Sequence, residues 1–104
     1  MNKRLEMLEK LTQSESADAF ALYGLAMEYR KADLLDKAMK TFLRLREQHA
    51  DYLPAYLMAG QVLISRKQLG AAREWLAAGI ELATKVGDSK TLGELEQALD
   101  EAEE

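Results

Sequence analysis

The sequence predicts an all-α fold built from paired helices, and three observations carry that prediction. A pattern of large, small and aromatic residues is written twice. Leu22-x2-Leu25-Ala26-x2-Tyr29, followed by Ala38-x3-Phe42, returns 34 residues later as Tyr56-x2-Ala59-Gly60-x2-Leu63, followed by Ala72-x3-Leu76. The spacings of three, four and seven bring Leu22, Leu25, Ala26 and Tyr29 to within about 100° of one another on a helix, which makes them one buried face. A chain of 104 residues with 48% hydrophobic content, one proline and six glycines has the composition of an ordered, helix-rich single domain rather than a disordered segment.

Taken in order, Leu5, Leu8 and Leu11 repeat at helical spacing, so residues 2–12 are expected as a short amphipathic helix that caps the first helix pair. Thr12-Gln-Ser-Glu-Ser16 is polar and suits a turn, with Ser16 or Asp18 placed to cap a helix over residues 17–31. Lys31-Ala-Asp33 is a tight connection in which Asp33 is the expected N-cap of a helix from Leu34 to Gln48, with Asp36 near its positive end. His49 to Leu53 links the two halves. Pro54 fits the first turn of the next helix, where a missing N–H is not needed. That helix reaches about Arg66. Lys67-Gln-Leu-Gly70 then turns the chain into a helix from Leu69 to Val86, with Gly87 as a left-handed stop. Asp88 opens a last helix in which Leu92, Leu95 and Leu99 keep a helical period and the other face is acidic.

The doubled pattern resembles the tetratricopeptide repeat (TPR), whose usual order is Trp-x2-Leu-Gly-x2-Tyr, then Ala-x3-Phe, then Pro. Leu22 and Tyr56 stand where Trp is commonest, Ala26 replaces the first Gly, and Leu76 replaces the second aromatic. Ala50 and Thr84 occupy the places of the family's proline. The resemblance, to a small bacterial-type protein of this family, implies an α-solenoid of two helix-turn-helix repeats between an N-terminal and a C-terminal capping helix, about five helices in all. It divides a single domain of residues 1–104 into an N-terminal helix and turn (1–16), a first repeat (17–52), a second repeat (53–87) and a capping helix (88–104). Small residues at Ala26, Gly60, Ala38 and Ala72 leave room for close helix pairing, and an end helix with one polar face solvates the stack.

The sequence holds more apolar surface than pairing needs. Phe20, Tyr23 and Met27 project roughly 130° from the packing face of the first repeat's first helix, and the corresponding line in the second repeat is Pro54, Leu57, Gln61 and Ile64. In TPR arrays the first helices of each pair line a concave groove that takes extended or helical peptides. By that resemblance Phe20, Tyr23, Met27, Arg30, Tyr52, Leu57, Gln61 and Ile64 are the candidate peptide-binding groove. The family's carboxylate clamp of Lys and Asn is not matched, since Tyr23, Met27, Leu57, Met58 and Gln61 stand on the groove helices. Recognition of chaperone tails is therefore not implied.

Other chemistries find little in the residues. Absence of cysteine excludes thiol catalysis, disulfides and zinc–thiolate sites. His49, the single histidine, lies in a linker and reads as solvated; Ser14 and Ser16 read as helix-capping. Asp100, Glu101, Glu103 and Glu104 lack the alternating spacing that wraps calcium, and the glycines form no phosphate loop. No cofactor or metal is expected, and no enzymatic activity. No apolar run approaches the roughly 18 residues of a membrane span, so a cytoplasmic protein is expected. Residues 1–52 carry nine Lys/Arg against nine Asp/Glu, and residues 53–104 carry five against nine, which is not the footprint of a general polyanion binder. The expected activity is binding of a protein or peptide. A homo-oligomerisation unit, as monomer becoming homodimer, is the first alternative, and an RNA- or polyanion-associated protein using Lys37, Lys40, Arg44 and Arg46 is the lesser one.

Overall fold

The structure, a computed structural model, describes residues 2–103. Among these residues there are six helices and no strand, in the order expected and close to the expected count of about five. They are α1 (Lys3–Leu11), α2 (Ala19–Lys31), α3 (Leu35–Gln48), α4 (Pro54–Ser65), α5 (Leu69–Val86) and α6 (Ser89–Ala102). The chain forms two compact units that meet in sequence between Ala50 and Asp51, so α1 to α3 belong to one and α4 to α6 to the other.

In the first unit, Asn2 caps α1 by accepting the Leu5 N–H on Oδ1 at 3.1 Å, which satisfies one of the donors a helix start leaves open. Leu8 is the residue of α1 that is buried, and it lies over Gly24 of α2, where a β-carbon would stand in ordinary contact with it. Thr12 ends α1 and returns its hydroxyl to the Leu8 carbonyl at 2.7 Å. Asp18 occupies the cap position of α2, but its side chain makes no capping bond; Ser16 instead bonds Ser14. The core between α2 and α3 is built from Leu22, Leu25, Ala26 and Tyr29 against Ala38, Thr41, Phe42 and Leu45.

Asp33 is not the N-cap of α3. It takes a left-handed backbone, φ 62°, and Leu34 holds the cap position. The reason lies in the end of α2: the Leu34 N–H reaches back to the Tyr29 carbonyl at 2.8 Å and the Asp33 N–H to the Arg30 carbonyl at 3.0 Å. This is the two-bond helix stop that requires a left-handed residue just past the C-cap.

The second unit repeats that turn 34 residues later. Gln68 N–H bonds the Leu63 carbonyl and Lys67 N–H the Ile64 carbonyl, both at 2.9 Å, with Lys67 at φ 60°. Pro54 sits in the first turn of α4 as expected, and Gly87 ends α5 in the left-handed region at φ 77°. Helix α4 is buried on most of its circumference. Gly60 meets Leu76 of α5, and Gly79 of α5 meets both the Tyr56 β-carbon and Leu95 of α6. The Tyr56 and Trp75 rings stand 5.9 Å apart. Helix α6 buries Leu95, Ala98 and Ala102 rather than the expected leucine line, leaving Leu92 and Leu99 half-buried. Asp88 caps it by accepting the Thr91 N–H and hydroxyl at 3.0 and 2.8 Å, and those bonds hold the Asp88 carboxyl below its usual range. Arg73 closes its far end by donating to the Ala102 carbonyl at 2.9 Å.

Candidate functional site

In the first unit the apolar excess of α2 is drawn together with α1. Phe20, Tyr23 and Met27 line a cleft of about 430 Å³, whose opposite wall is Leu8 and Leu11 of α1 and whose floor includes Gly24. Phe20 is 74% exposed and Leu11 60%, so both stand open at the end where α1 turns into α2. The other end is closed by charge. Arg4 pairs with Glu28 at 3.2 Å, and Asn2 donates to the same carboxylate. Tyr23 is half-buried and meets the Phe42 ring edge-on at 6.5 Å between centroids, so it serves packing as well as the cleft. Arg30, also half-buried, is not part of the cleft wall.

In the second unit Leu57 and Gln61 line a smaller, polar cleft of about 210 Å³, closed by Glu94, Gln97, Ala98 and Glu101 of α6. Leu57 is buried, and Gln61 is the half-exposed member. Ile64, one turn further along α4, and Tyr52, before the helix, are half-buried and lie outside that cleft. The walls contributed by α1 and α6 are not among the candidates the sequence offers. Leu8 and Leu11 are legible as an amphipathic period, and Glu94, Gln97 and Glu101 share a helical face by their spacing of three and four; what the sequence lacks is which neighbour each helix faces.

Helix α1 is fixed to α2 by a further bond. The Tyr29 hydroxyl donates to Glu9 Oε2 at 2.6 Å, and burial together with that carboxylate pushes the phenol up to about 12. The Lys37 ammonium stands 5.8 Å over the Tyr29 ring. Arg44 donates to the carbonyls of Thr12 and Ser14, each at 2.6 Å. Two cations of the expected basic stripe are thus engaged within the chain. His49 is not a solvated linker histidine: it is half-buried at the end of α3, with Nε2 2.9 Å from the Ala17 carbonyl. A carbonyl only accepts, so Nε2 carries the hydrogen. Among the described residues no three of His, Cys, Asp and Glu gather as a metal site, and no helix is long and apolar enough to cross a membrane.

Two helix pairs written on a 34-residue period, each closed by the same left-handed turn, define a helical-repeat protein. No family model matches the sequence and no curated protein does. Solved structures do. A tetratricopeptide repeat domain protein from Salinibacter ruber, known from both a solution NMR and a crystal structure, is 35% identical. Its TM-score is 0.78 over 83% of this chain, and the match covers 87% and 97% of those two chains. The TPR2B domain of yeast Sti1, solved as a complex with pHsp70, aligns with TM-score 0.81 over 96% of this chain and 77% of its own, at 21% identity. The chain belongs to the tetratricopeptide repeat family.

Proposed function

We propose that this chain is a non-catalytic protein- or peptide-binding module whose binding face is formed by the first helices of its two repeats, α2 and α4. The observation that carries the proposal is the apolar cleft on α2, with Phe20 and Leu11 held open at its mouth in a chain whose other large apolar side chains are, among the described residues, mostly buried or half-buried. Exposed apolar side chains gathered around a groove are the kind of surface that marks an interaction site. Phe20, Tyr23 and Met27 supply the apolar contacts on α2, with Arg30 at the helix end. On α4, Gln61 supplies the accessible polar contact beside Ile64, Leu57 forms a floor, and Tyr52 leads into the helix. The complex of the Sti1 domain with pHsp70 is in keeping with a protein-derived ligand on this fold, while the missing carboxylate clamp separates this chain from chaperone-tail recognition. The perturbed acidities of Tyr29 and Asp88 are accounted for by helix docking and capping, which favours a scaffold over a catalyst. The setting proposed is the cytoplasm.

A photo-crosslinking amino acid placed at Tyr23, at Gln61 and, as control, at Lys40 tests the reading, with peptides first selected from a displayed library on the intact protein. Adducts at positions 23 and 61 and none at 40 are expected. Adducts confined to position 40 would contradict it and move binding to the outer face of α3.

A further inference from the structure

Among the described residues, three of the six large apolar side chains that remain exposed, Met7, Leu11 and Phe20, belong to α1 and the start of α2. Leu11 and Phe20 line the mouth of the 430 Å³ cleft, and Met7 lies on the same face of α1 as Leu11, four residues before it. Protruding aromatic and receiving hollow are therefore side by side on one surface. That is the requirement for a two-fold contact, in which a single patch must complement itself. A hollow of this volume is within the range that holds a bound group and has room for an aromatic ring.

Charge points the same way. Like charge opposes self-association, and the net charge of −4 weighs on a contact made through the acidic half of the chain. Residues 53–104 carry the whole of that excess, while residues 1–52 are balanced. At the cleft itself the Arg4 guanidinium and the Glu28 carboxylate neutralise one another at 3.2 Å, so a second copy of this face meets no net repulsion. A strongly charged partner would gain nothing there.

We infer that the α1–α2 face binds a second copy of this chain, the Phe20 ring of each protomer entering the cleft of its partner. The inference rests on the proposed function in one respect, since Phe20, Tyr23 and Met27 belong to both surfaces: the dimer withholds the α2 part of the binding face, and peptide capture there competes with self-association.

Sedimentation equilibrium of the full chain across a concentration series tests this. The mass is expected to rise with concentration from the 11.7 kDa of the monomer toward that of a dimer. Phe20→Ala should weaken the dimer at least about tenfold, as loss of a central aromatic anchor does. Its circular dichroism should stay that of the parent, because an exposed ring has little packing to lose. Val86→Ser removes an apolar group, also 60% exposed, in the other unit and should leave the dimer unchanged. A chain that stays monomeric throughout, a Phe20→Ala dimer as tight as the parent, or equal weakening by Val86→Ser would each overturn the inference. The crosslinking at Gln61 reads the binding face separately. A monomer that still captures peptides there overturns the dimer alone, and a dimer dependent on Phe20 in a protein that captures none supports the dimer and removes the peptide-binding reading.

Discussion

Gly60 of α4 lies directly against Leu76 of α5: a β-carbon built on Gly60 would stand 2.7 Å from Leu76 Cγ and closer still to Cδ2. Leu76 is fully buried and has nowhere to retreat, so this glycine is a packing requirement. Gly60→Ala is expected to destabilise the chain by about 1–3 kcal/mol through overpacking. Gly93 of α6 is the matched control, with nothing within 4 Å of its missing β-carbon. Gly93→Ala should stabilise by up to about 1 kcal/mol, because only helix propensity changes. Thermal melts of the two variants should therefore move in opposite directions, and a Gly60→Ala melt at or above the parent's would contradict the α4–α5 contact.

Lys67 holds a left-handed backbone at φ 60° where the stop of α4 requires it. A side chain in that region costs about 1–2 kcal/mol, and glycine avoids most of it at some cost in unfolded-chain entropy. Lys67→Gly is expected to raise the denaturation midpoint by an amount worth about 0.5–1 kcal/mol, the left-handed cost less the entropy glycine loses, whereas Lys67→Val should lower it. A destabilised glycine variant would mean that the lysine side chain contributes more than its backbone strain takes away.

Tyr29 ties α1 to α2 through Glu9. Tyr29→Phe should cost about 1.5–3 kcal/mol, the range for a hydrogen bond to a charged acceptor. Burial of the phenol, with the bond to Glu9 second, also sets a pH dependence of definite sign. The phenol's folded pKa, near 12, exceeds its ordinary value of 10.0, so the stabilisation is complete below pH 10 and is lost as pH rises through about 12. Urea titrations of parent and variant should differ at pH 8 and converge toward pH 12. A gap that stays constant across that range would contradict a phenol whose acidity is weakened by burial and by Glu9.

The pairing of helices is legible in the sequence because it depends on side-chain size at fixed intervals: Leu22, Ala26, Phe42 and their partners declare one face without any knowledge of the neighbour. Gly87 announces its own left-handed turn. Asp33 and Lys67 do not, because the stop is dictated by the carbonyls of Tyr29 and Leu63, and aspartate reads equally well as an N-cap. The candidate face is half legible. Phe20, Tyr23 and Met27 declare themselves by their angle on α2, but the walls supplied by Leu11 and by Glu94 depend on how α1 and α6 dock, and the burial of Leu57 beside α6 is not encoded in its own helix. The reach of Arg44 to Thr12 and Ser14 spans some thirty residues of chain and leaves no local mark.

The binding face is tested most directly by the double variant Met27→Ala with Gln61→Ala, one half-exposed residue from each repeat, titrated with a selected peptide at a protein concentration where the chain is monomeric. Since neither side chain is buried, the Tm should fall by no more than about 4–8 °C, the shift that about 1 kcal/mol produces in a domain of this size. Peptide affinity should fall at least about tenfold. A variant that melts like the parent and binds the peptide with the parent's Kd would contradict a binding face on α2 and α4.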